Sequence, residues 1–461
     1  MSNFTNQLTI QQNNALQELI AFLRIPSIGT LEAHNKDTRK AAEFVCNKLA
    51  AAGADRTSLI ETTGQPLVYG EKILDKNLPT VLVYGHYDVQ PADPYELWDT
   101  PPFEPVIKDN KIFARGASDD KGQVYMHIKA FEQMMATQQL PCNIKFLIEG
   151  EEENGSTSLT KFLEMPENQA LLQADSILVS DTSMLSMEQP SLTTGLRGIV
   201  LFEIEVTGPN RDLHSGVYGG AVANPIHSLC KLIASLQDEH HRITIPGFYD
   251  QVKDISASER AALNEVGFNL AQYQELLGIQ AVVGEEGYST RERVGIRPSL
   301  DVNGIWGGYT APGAKTVLPA KAYAKISMRL VPNQDAQAIA ALFTRHCTSL
   351  VPKGVHVNIR VLHQGSNAIV LNKESIALKA AQAAFKSVWQ KDAVCTRDGG
   401  SIPILAKFQE TLGCDIVMMG FGLDSDAVHS PNEHFGLKNF FSGIDTIIAF
   451  YKHLALLAAQ Q

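Results

Sequence analysis

Cysteine is scarce in this chain. There are six in 461 residues (Cys46, Cys142, Cys230, Cys347, Cys395 and Cys414), and none forms a CxxC pair. Disulfide scaffolds and thiolate metal sites need clustered cysteines, so these are expected to be reduced, mostly buried small apolar residues of a cytoplasmic protein. Positive charge is also short: 39 Lys and Arg stand against 50 Asp and Glu, a net charge of −11 with no basic cluster. Such a balance excludes nucleic acid and anionic membrane as expected partners. No uninterrupted apolar run approaches the about 18 residues of a membrane-spanning helix. The opening MSNFTNQLTIQQNNALQELIAFLRIP lacks the basic start, apolar core and small-residue cleavage site of a signal peptide. Internal repeats and low-complexity linkers are absent, and Gly and Pro are unbiased at 34 and 21. Fibrous and disordered classes are thereby excluded.

What is present is an ordinary globular composition, 44% apolar and 19% charged, long enough for two or three domains of roughly 150 residues each. Leu16, Leu19, Ile20 and Leu23 recur at helical spacing, and Pro26 is expected to stop that helix. A second amphipathic helix is predicted over 38–52, ending near Gly53. Beyond it, short apolar runs alternate with helices, the pattern of an α/β layer built on a buried sheet. Four runs (Val81–Tyr84, Ile144–Ile148, Ser176–Ser180 and Ile416–Met419) are each followed by a loop rich in His, Asp or Glu. Ligands of open α/β sheets gather at the carboxyl ends of strands, so these four loops predict one site.

The middle of the chain reads differently. Val200, Phe202, Ile204 and Val206 alternate with polar residues, as do Ala322, Ala324, Ile326, Met328 and Leu330, and Val355, Val357, Ile359 and Val361. Strict alternation marks antiparallel strands with one solvated face. Asn224-Pro225 predicts an N-cap and first turn, with Ile226, Leu229, Cys230 and Ile233 on the inner face of the following helix. The expectation is an α/β fold: a catalytic α/β/α domain with a mixed sheet over 1–197 and 366–461, interrupted by an α+β domain with an antiparallel sheet over 198–365.

The chemistry-bearing residues are individually ambiguous. His86 and Asp88 project to the same side of an extended segment; they fit either a satisfied turn or a ligand with the carboxylate that orients it or acts on a neighbouring base. Asp119 and Asp120 precede the predicted helix Val124–Met135, as N-cap acids or with Asp119 bridging two cations. Glu151, Glu152 and Glu153, with Glu149 nearby, form either a solvated run or an acid cluster that only cations would neutralise. Adjacent glutamates suit a division in which one binds metal and the other moves protons. Asp181 and His429 are uninformative alone. Together the candidates balance: two divalent ions bring four positive charges, and Asp119, Glu153, Asp181 and a hydroxide bring four negative ones, with His86 and His429 as neutral donors. Mixed carboxylate and imidazole ligation suits zinc, manganese or cobalt.

In order, GHYDVQP, WDTPPFEP, ARGASDDKG, EGEEENGS, SDT, RDLHSG, GAKTVLP, MRLVPN, GGSIP and AVHSPNE resemble the M20 family of dinuclear metallopeptidases, in its carnosinase-like cytosolic dipeptidase branch. The resemblance implies that His86 and Asp181 hold one metal, Glu153 and His429 the other, and that Asp119 bridges. It makes Glu152 the general base, Glu151 an outer residue, and Asp88 the acid that tunes the site beside His86. It further implies that the inserted domain is a lid that dimerises, that His214 reaches the neighbouring subunit's active site to stabilise an oxyanion, and that Arg329, Gly400 and Ser401, assisted by Thr316, hold the substrate's terminal carboxylate. Where that branch carries a Gly-Gly-Lys-Pro-like loop, this chain has HQGSNAIV, which leaves His363 without a family role. The implied reaction is hydrolysis of dipeptides, the alternative being deacylation of N-acyl amino acids by the same family's chemistry.

Overall fold

The computed structural model describes residues 8–265, 268–362 and 365–460, and the chain divides into two compact units. The first comprises Met1–Thr194, Leu371–Thr396 and Ile404–Gln461. Its mixed sheet runs, in spatial order, Arg56–Ile60, Leu67–Lys72, Asn143–Glu149, Thr80–His86, Ser176–Val179, Asp415–Met418 and Ser191–Leu196. The central four strands are mutually parallel, with antiparallel neighbours on either side. These four contain the apolar runs that the sequence singles out. They read as continuous apolar stretches because both faces of the sheet are covered. Val81 and Val83 join the core formed with the helices Lys121–Ala136, Ile376–Trp389 and Leu437–Ala458. Tyr84, one residue out of phase, meets Phe408 of the helix Pro403–Leu412 ring edge to face at 5.2 Å. The fold class is α/β, with a mixed sheet between helices.

The first helix, Ile10–Leu23, opens with a Thr9–Gln12 capping box and ends three residues before Pro26. The second covers Asn35–Ala51 and the third Lys121–Ala136, slightly longer at their starts than the periodicity predicts. The last helix, Leu437–Ala458, is long and apolar enough to cross a membrane by length and composition, yet Phe440, Ile444, Ile447, Phe450 and Leu454 are packed into the core.

The second unit comprises Gly195–Val370 and Arg397–Pro403. Its antiparallel sheet is ordered Ser299–Gly307, Lys321–Leu330, Gly198–Thr207 and His356–Val361. Gly198–Thr207 alternates buried and half-buried residues along its whole length. Its inward side chains pack with the helices Pro225–Ala234 and Ala336–Ser349, where Phe202 and Phe343 lie 4.2 Å apart. Asn224 caps the first of these helices by accepting from the Ile226 N–H at 2.9 Å. The helix's inner face is offset from the expected one. Pro225, Ser228, Leu229 and Leu232 are buried, Ile226 and Ile233 pack only partly, and Cys230 is exposed. The same spacing begins one residue earlier, and the small apolar Cys230 suggests the wrong phase. All six cysteines are free; Cys142 and Cys347 are buried, and Cys46, Cys395 and Cys414 half-buried.

Three helices of the first unit are tied by one carboxylate. Glu18 of Ile10–Leu23 accepts from Lys48 at 2.6 Å, Tyr125 at 2.7 Å and Lys129 at 2.9 Å. Burial alone would raise its pKa, but these donors lower it from 4.5 to about 2. A depressed carboxylate contributes stability that is complete above the unfolded pKa and lost as pH falls through the folded one. Glu18→Gln is therefore expected to cost about 1–2 kcal/mol near pH 7. In chemical melts the difference from the parent should shrink between about pH 4.5 and 2, and a pH-independent difference would count against the charge-assisted network.

Candidate metal centre

The centre lies in the first unit, at the carboxyl ends of the parallel strands. His86 is the last residue of Thr80–His86. Glu152 and Glu153 sit in a turn three residues after Asn143–Glu149, and Asp181 follows Ser176–Val179. Asp119 precedes Lys121–Ala136, and His429 comes from the loop after Gly422–Leu423. Two groups with metal-ligand spacing result: His86, Asp119 and Asp181, and Asp119, Glu153 and His429. Asp119 is common to both. Its Oδ1 is 3.1 Å from His86 Nε2 and its Oδ2 2.9 Å from His429 Nε2. Asp181 Oδ1 lies 3.9 Å from His86 Nε2, and Glu153 Oε2 lies 3.3 Å from His429 Nε2.

Surrounding groups hold these side chains in place. His86 Nδ1 faces the Asp88 carbonyl at 3.0 Å, which turns Nε2 toward Asp119 and Asp181. The fully buried Asp88 carboxylate also accepts the N–H groups of Glu152 at 3.3 Å and Glu153 at 3.2 Å, so it braces the glutamate turn as well as the histidine. Gly29 is required opposite it, because a Cβ there would collide with that carboxylate. The other acids of the run face elsewhere. Glu151 accepts from Ser158 N at the start of the helix Thr157–Leu163. Glu149 accepts from Tyr84 and Ser156, both at 2.8 Å. Asp120 begins the next helix without capping it by its side chain. Two residues inside the quoted motifs, Gln90 and Glu433, belong to this surround although the sequence gives them no role. Gln90 donates to Glu153 Oε2 at 2.7 Å, and Glu433 accepts from the backbone around Asp119. Their membership of GHYDVQP and AVHSPNE is the only signal that could have marked them.

The electrostatics suit cations. Burial pushes Glu153 up to about 7, helped by the charge of Asp119, and it raises Asp181. Glu152 stands well above the usual carboxylate range, burial first, with Asp181, Glu153 and Asp119 adding to it. Asp119 is held low despite burial, by His429 and His86. Hydrogen bonds to Asp119 and Glu153 push His429 up to about 10. Burial opposes charge on His86, but Asp119, Asp181 and Asp88 outweigh it and hold the ring well above its usual pKa. One oxygen of Glu153, Oε1, is buried without a hydrogen-bond partner among the described residues. Atoms bonded to a tetrahedral ion at about 2.0–2.1 Å stand roughly 3.3 Å apart; the contacts at 3.1, 2.9 and 3.3 Å are close to that, and the Asp181–His86 contact at 3.9 Å is longer. The donor set, the orphaned oxygen and the spacing all fit divalent metal.

The remaining predicted residues lie in the second unit as two clusters. Arg329 Nη1 donates to Ser401 Oγ at 2.8 Å, and no carboxylate among the described residues approaches Arg329 closely enough for an ion pair. Arg197, which no sequence signal marks, braces the same loop: its N–H and Nε donate to the carbonyls of Gly400 and Gly399, both at 3.1 Å, and its own carbonyl accepts from Ser401 Oγ at 2.5 Å. In the other cluster, exposed His214 accepts the Gly216 N–H at Nδ1 and pairs in register with Val317, while the Thr316 carbonyl accepts from Ser215 N. His363 falls outside the described residues.

This assembly of imidazoles and carboxylates on an α/β sheet is that of a metallohydrolase. Residues 82–453 match the model of peptidase family M20/M25/M40, and the chain belongs to that family; it is a peptide hydrolase. It is 31% identical over 453 residues to a Cys-Gly metallodipeptidase of Saccharomyces cerevisiae, covering 94% of this chain and 93% of the relative. Over 399 residues it is 34% identical to the human Beta-Ala-His dipeptidase, covering 85% and 78%. Among solved structures, a di-peptidase of Saccharomyces cerevisiae superposes with a TM-score of 0.87 at 30% identity over 96% of both chains. Human carnosine dipeptidase 1 gives 0.86 at 30% over 97% of both.

Metal ligation requires neutral imidazole, whereas the surrounding carboxylates favour a protonated ring on both His86 and His429. Metal uptake near pH 7 is therefore expected to expel protons, and apparent affinity to rise with pH. Calorimetric titrations of metal into stripped protein should give heats that differ between buffers of different ionisation enthalpy; buffer-independent heats would contradict this electrostatic picture.

Proposed function

We propose that the protein hydrolyses dipeptides, short peptides with a free C-terminal carboxylate, at a centre for two divalent ions. The observation that carries this reading is Asp119, which turns one carboxylate oxygen to each histidine. His86 and Asp181 would hold one ion and Glu153 and His429 the other, with Asp119 shared. Zinc is the first candidate, and manganese and cobalt also suit this donor set. Bound there, the ions would lower the pKa of a coordinated water and polarise the scissile carbonyl.

Glu152 is the general base. It takes a proton from the attacking water and returns it to the leaving amine. Burial beside Asp181, Glu153 and Asp119 raises its pKa, which favours a group that takes up a proton. Asp88 keeps it in place through the Glu152 N–H. Arg329, with Gly400, Ser401 and the assisting Thr316, receives the substrate carboxylate; that no ion pair engages Arg329 among the described residues supports that role. The relatives named for Cys-Gly and Beta-Ala-His support dipeptides and do not favour deacylation of N-acyl amino acids.

The inserted domain over 198–365 acts as a lid and as the homodimer contact, with His214 stabilising the oxyanion in the neighbouring subunit's site. In support, the edge strand Ser299–Gly307 leaves Ile305 and Trp306 exposed on a sheet edge that no described strand pairs. A fully active monomer in sedimentation would contradict this arrangement. Six free cysteines suit a reducing, cytoplasmic setting.

Glu152→Ala is expected to bind metal with the parent's stoichiometry while kcat on dipeptides falls by roughly 10²–10⁴. The metal-loaded parent should cleave simple dipeptides and leave N-acetyl and N-succinyl amino acids intact. Comparable turnover in the variant would remove Glu152 from the base role, and cleavage of the acyl amino acids would overturn the substrate class.

A further inference from the structure

Glu433 is fully buried, and its carboxylate is the meeting point of four donors. Oε2 accepts from Arg115 Nη1 at 2.8 Å and from Gly116 N at 2.9 Å. Oε1 accepts from Ser118 N at 2.9 Å and from Asp119 N at 3.1 Å. The Glu433 carbonyl accepts from Ala114 N at 3.1 Å. The loop from Ala114 to Asp119 is thus wrapped around one side chain that arrives from the segment carrying His429. A second tie runs parallel to the first: buried Asp426 accepts from Ser118 Oγ at 3.2 Å and from Leu423 N at 2.9 Å.

We infer that Glu433 is a positioning residue of the metal centre. It fixes the shared carboxylate of Asp119 relative to His429, so that the group formed by Asp119, Glu153 and His429 is assembled before an ion arrives. This rests on the two-ion reading proposed above. The physical reason lies in where the ligands come from. His86 and Asp181 leave adjacent parallel strands, whose register already sets their separation. Asp119 and His429 come from loops about 310 residues apart in sequence, and neither lies on a strand of the sheet. Ordering two such loops costs conformational entropy; a buried carboxylate taking three backbone N–H groups and a guanidinium meets that cost in the folded chain rather than at metal binding. Arg115 supplies the counter-charge that lets the carboxylate remain buried.

The test is stepwise zinc uptake by metal-stripped protein, read by competition with a chromogenic chelator, which needs no turnover. Glu433→Gln puts an amide N–H₂ against N–H donors and should weaken uptake of one of the two ions by roughly 10–100-fold while leaving the other nearer to the parent. Glu433→Asp keeps the charge, and so the counter-ion of Arg115, but falls one methylene short of the three N–H groups; the same loss is expected. Arg115→Lys keeps both the charge pair and the backbone contacts and should bind both ions as the parent does. Unchanged uptake in either folded Glu433 variant overturns the inference. So does failure of both to fold, which would make Glu433 an anchor of the fold alone, and so does an equal loss in Arg115→Lys, which would place the effect in the ion pair. A parent protein that takes up fewer than two ions refutes the two-ion reading itself, and this inference with it.

Discussion

Like charges gathered at one end of a buried sheet are the constraint around which the first unit is arranged. Asp119, Glu152, Glu153 and Asp181 are brought against two imidazoles, and burial together with mutual repulsion drives three of these four carboxyl groups above their ordinary pKa. Such a cluster is unfavourable unless cations complete it. The parallel strands make the concentration possible, since each ends at the same edge and each hands a ligand-bearing loop to it. The surrounding hydrogen bonds then have one common task. Asp88 on the glutamate turn, Gln90 on Glu153 and Glu433 on the Asp119 loop each hold a repelling group where its neighbours already are.

The second unit has different demands. Its sheet is antiparallel, half-solvated and built of alternating residues. It presents Arg329 and Ser401 in one cluster and His214 and Thr316 in another. Arg197 shows why such a loop needs its own support: three of its contacts fix the Gly399–Ser401 segment, so the guanidinium of Arg329 meets a hydroxyl whose position is set. Asp301 and Asp398 act on the charge of Arg329 from a distance, yet no ion pair forms among the described residues, which suits the ligand carboxylate proposed for it.

Much of this was legible in the sequence, for identifiable reasons. The four central strands announce themselves as short apolar runs because both their faces are covered, and the loops after them announce the site because strand ends are where an α/β sheet places it. The antiparallel sheet follows from strict alternation at 200–206 and 322–330. Less legible was anything set by three-dimensional reach. Nothing in the spacing distinguishes Glu151, which caps a helix, from Glu152 and Glu153 beside it. Nothing local says that Glu433 reaches back to Asp119, or that Arg197 holds the Gly399–Ser401 loop. The helix after Pro225 illustrates the other limit, since in a ten-residue helix a single small apolar residue, Cys230, is enough to shift the apparent inner face by one position.

The proposed centre depends most on Asp119 serving two ions at once. Metal content measured by mass spectrometry on Asp119→Asn, after equilibration with zinc and removal of the free metal, tests it directly. With one carboxylate common to both groups, the substitution should deplete both ions, whereas His429→Ala should deplete only one. An Asp119→Asn protein that retains two ions per chain, as the parent is expected to, would contradict the shared-ligand centre.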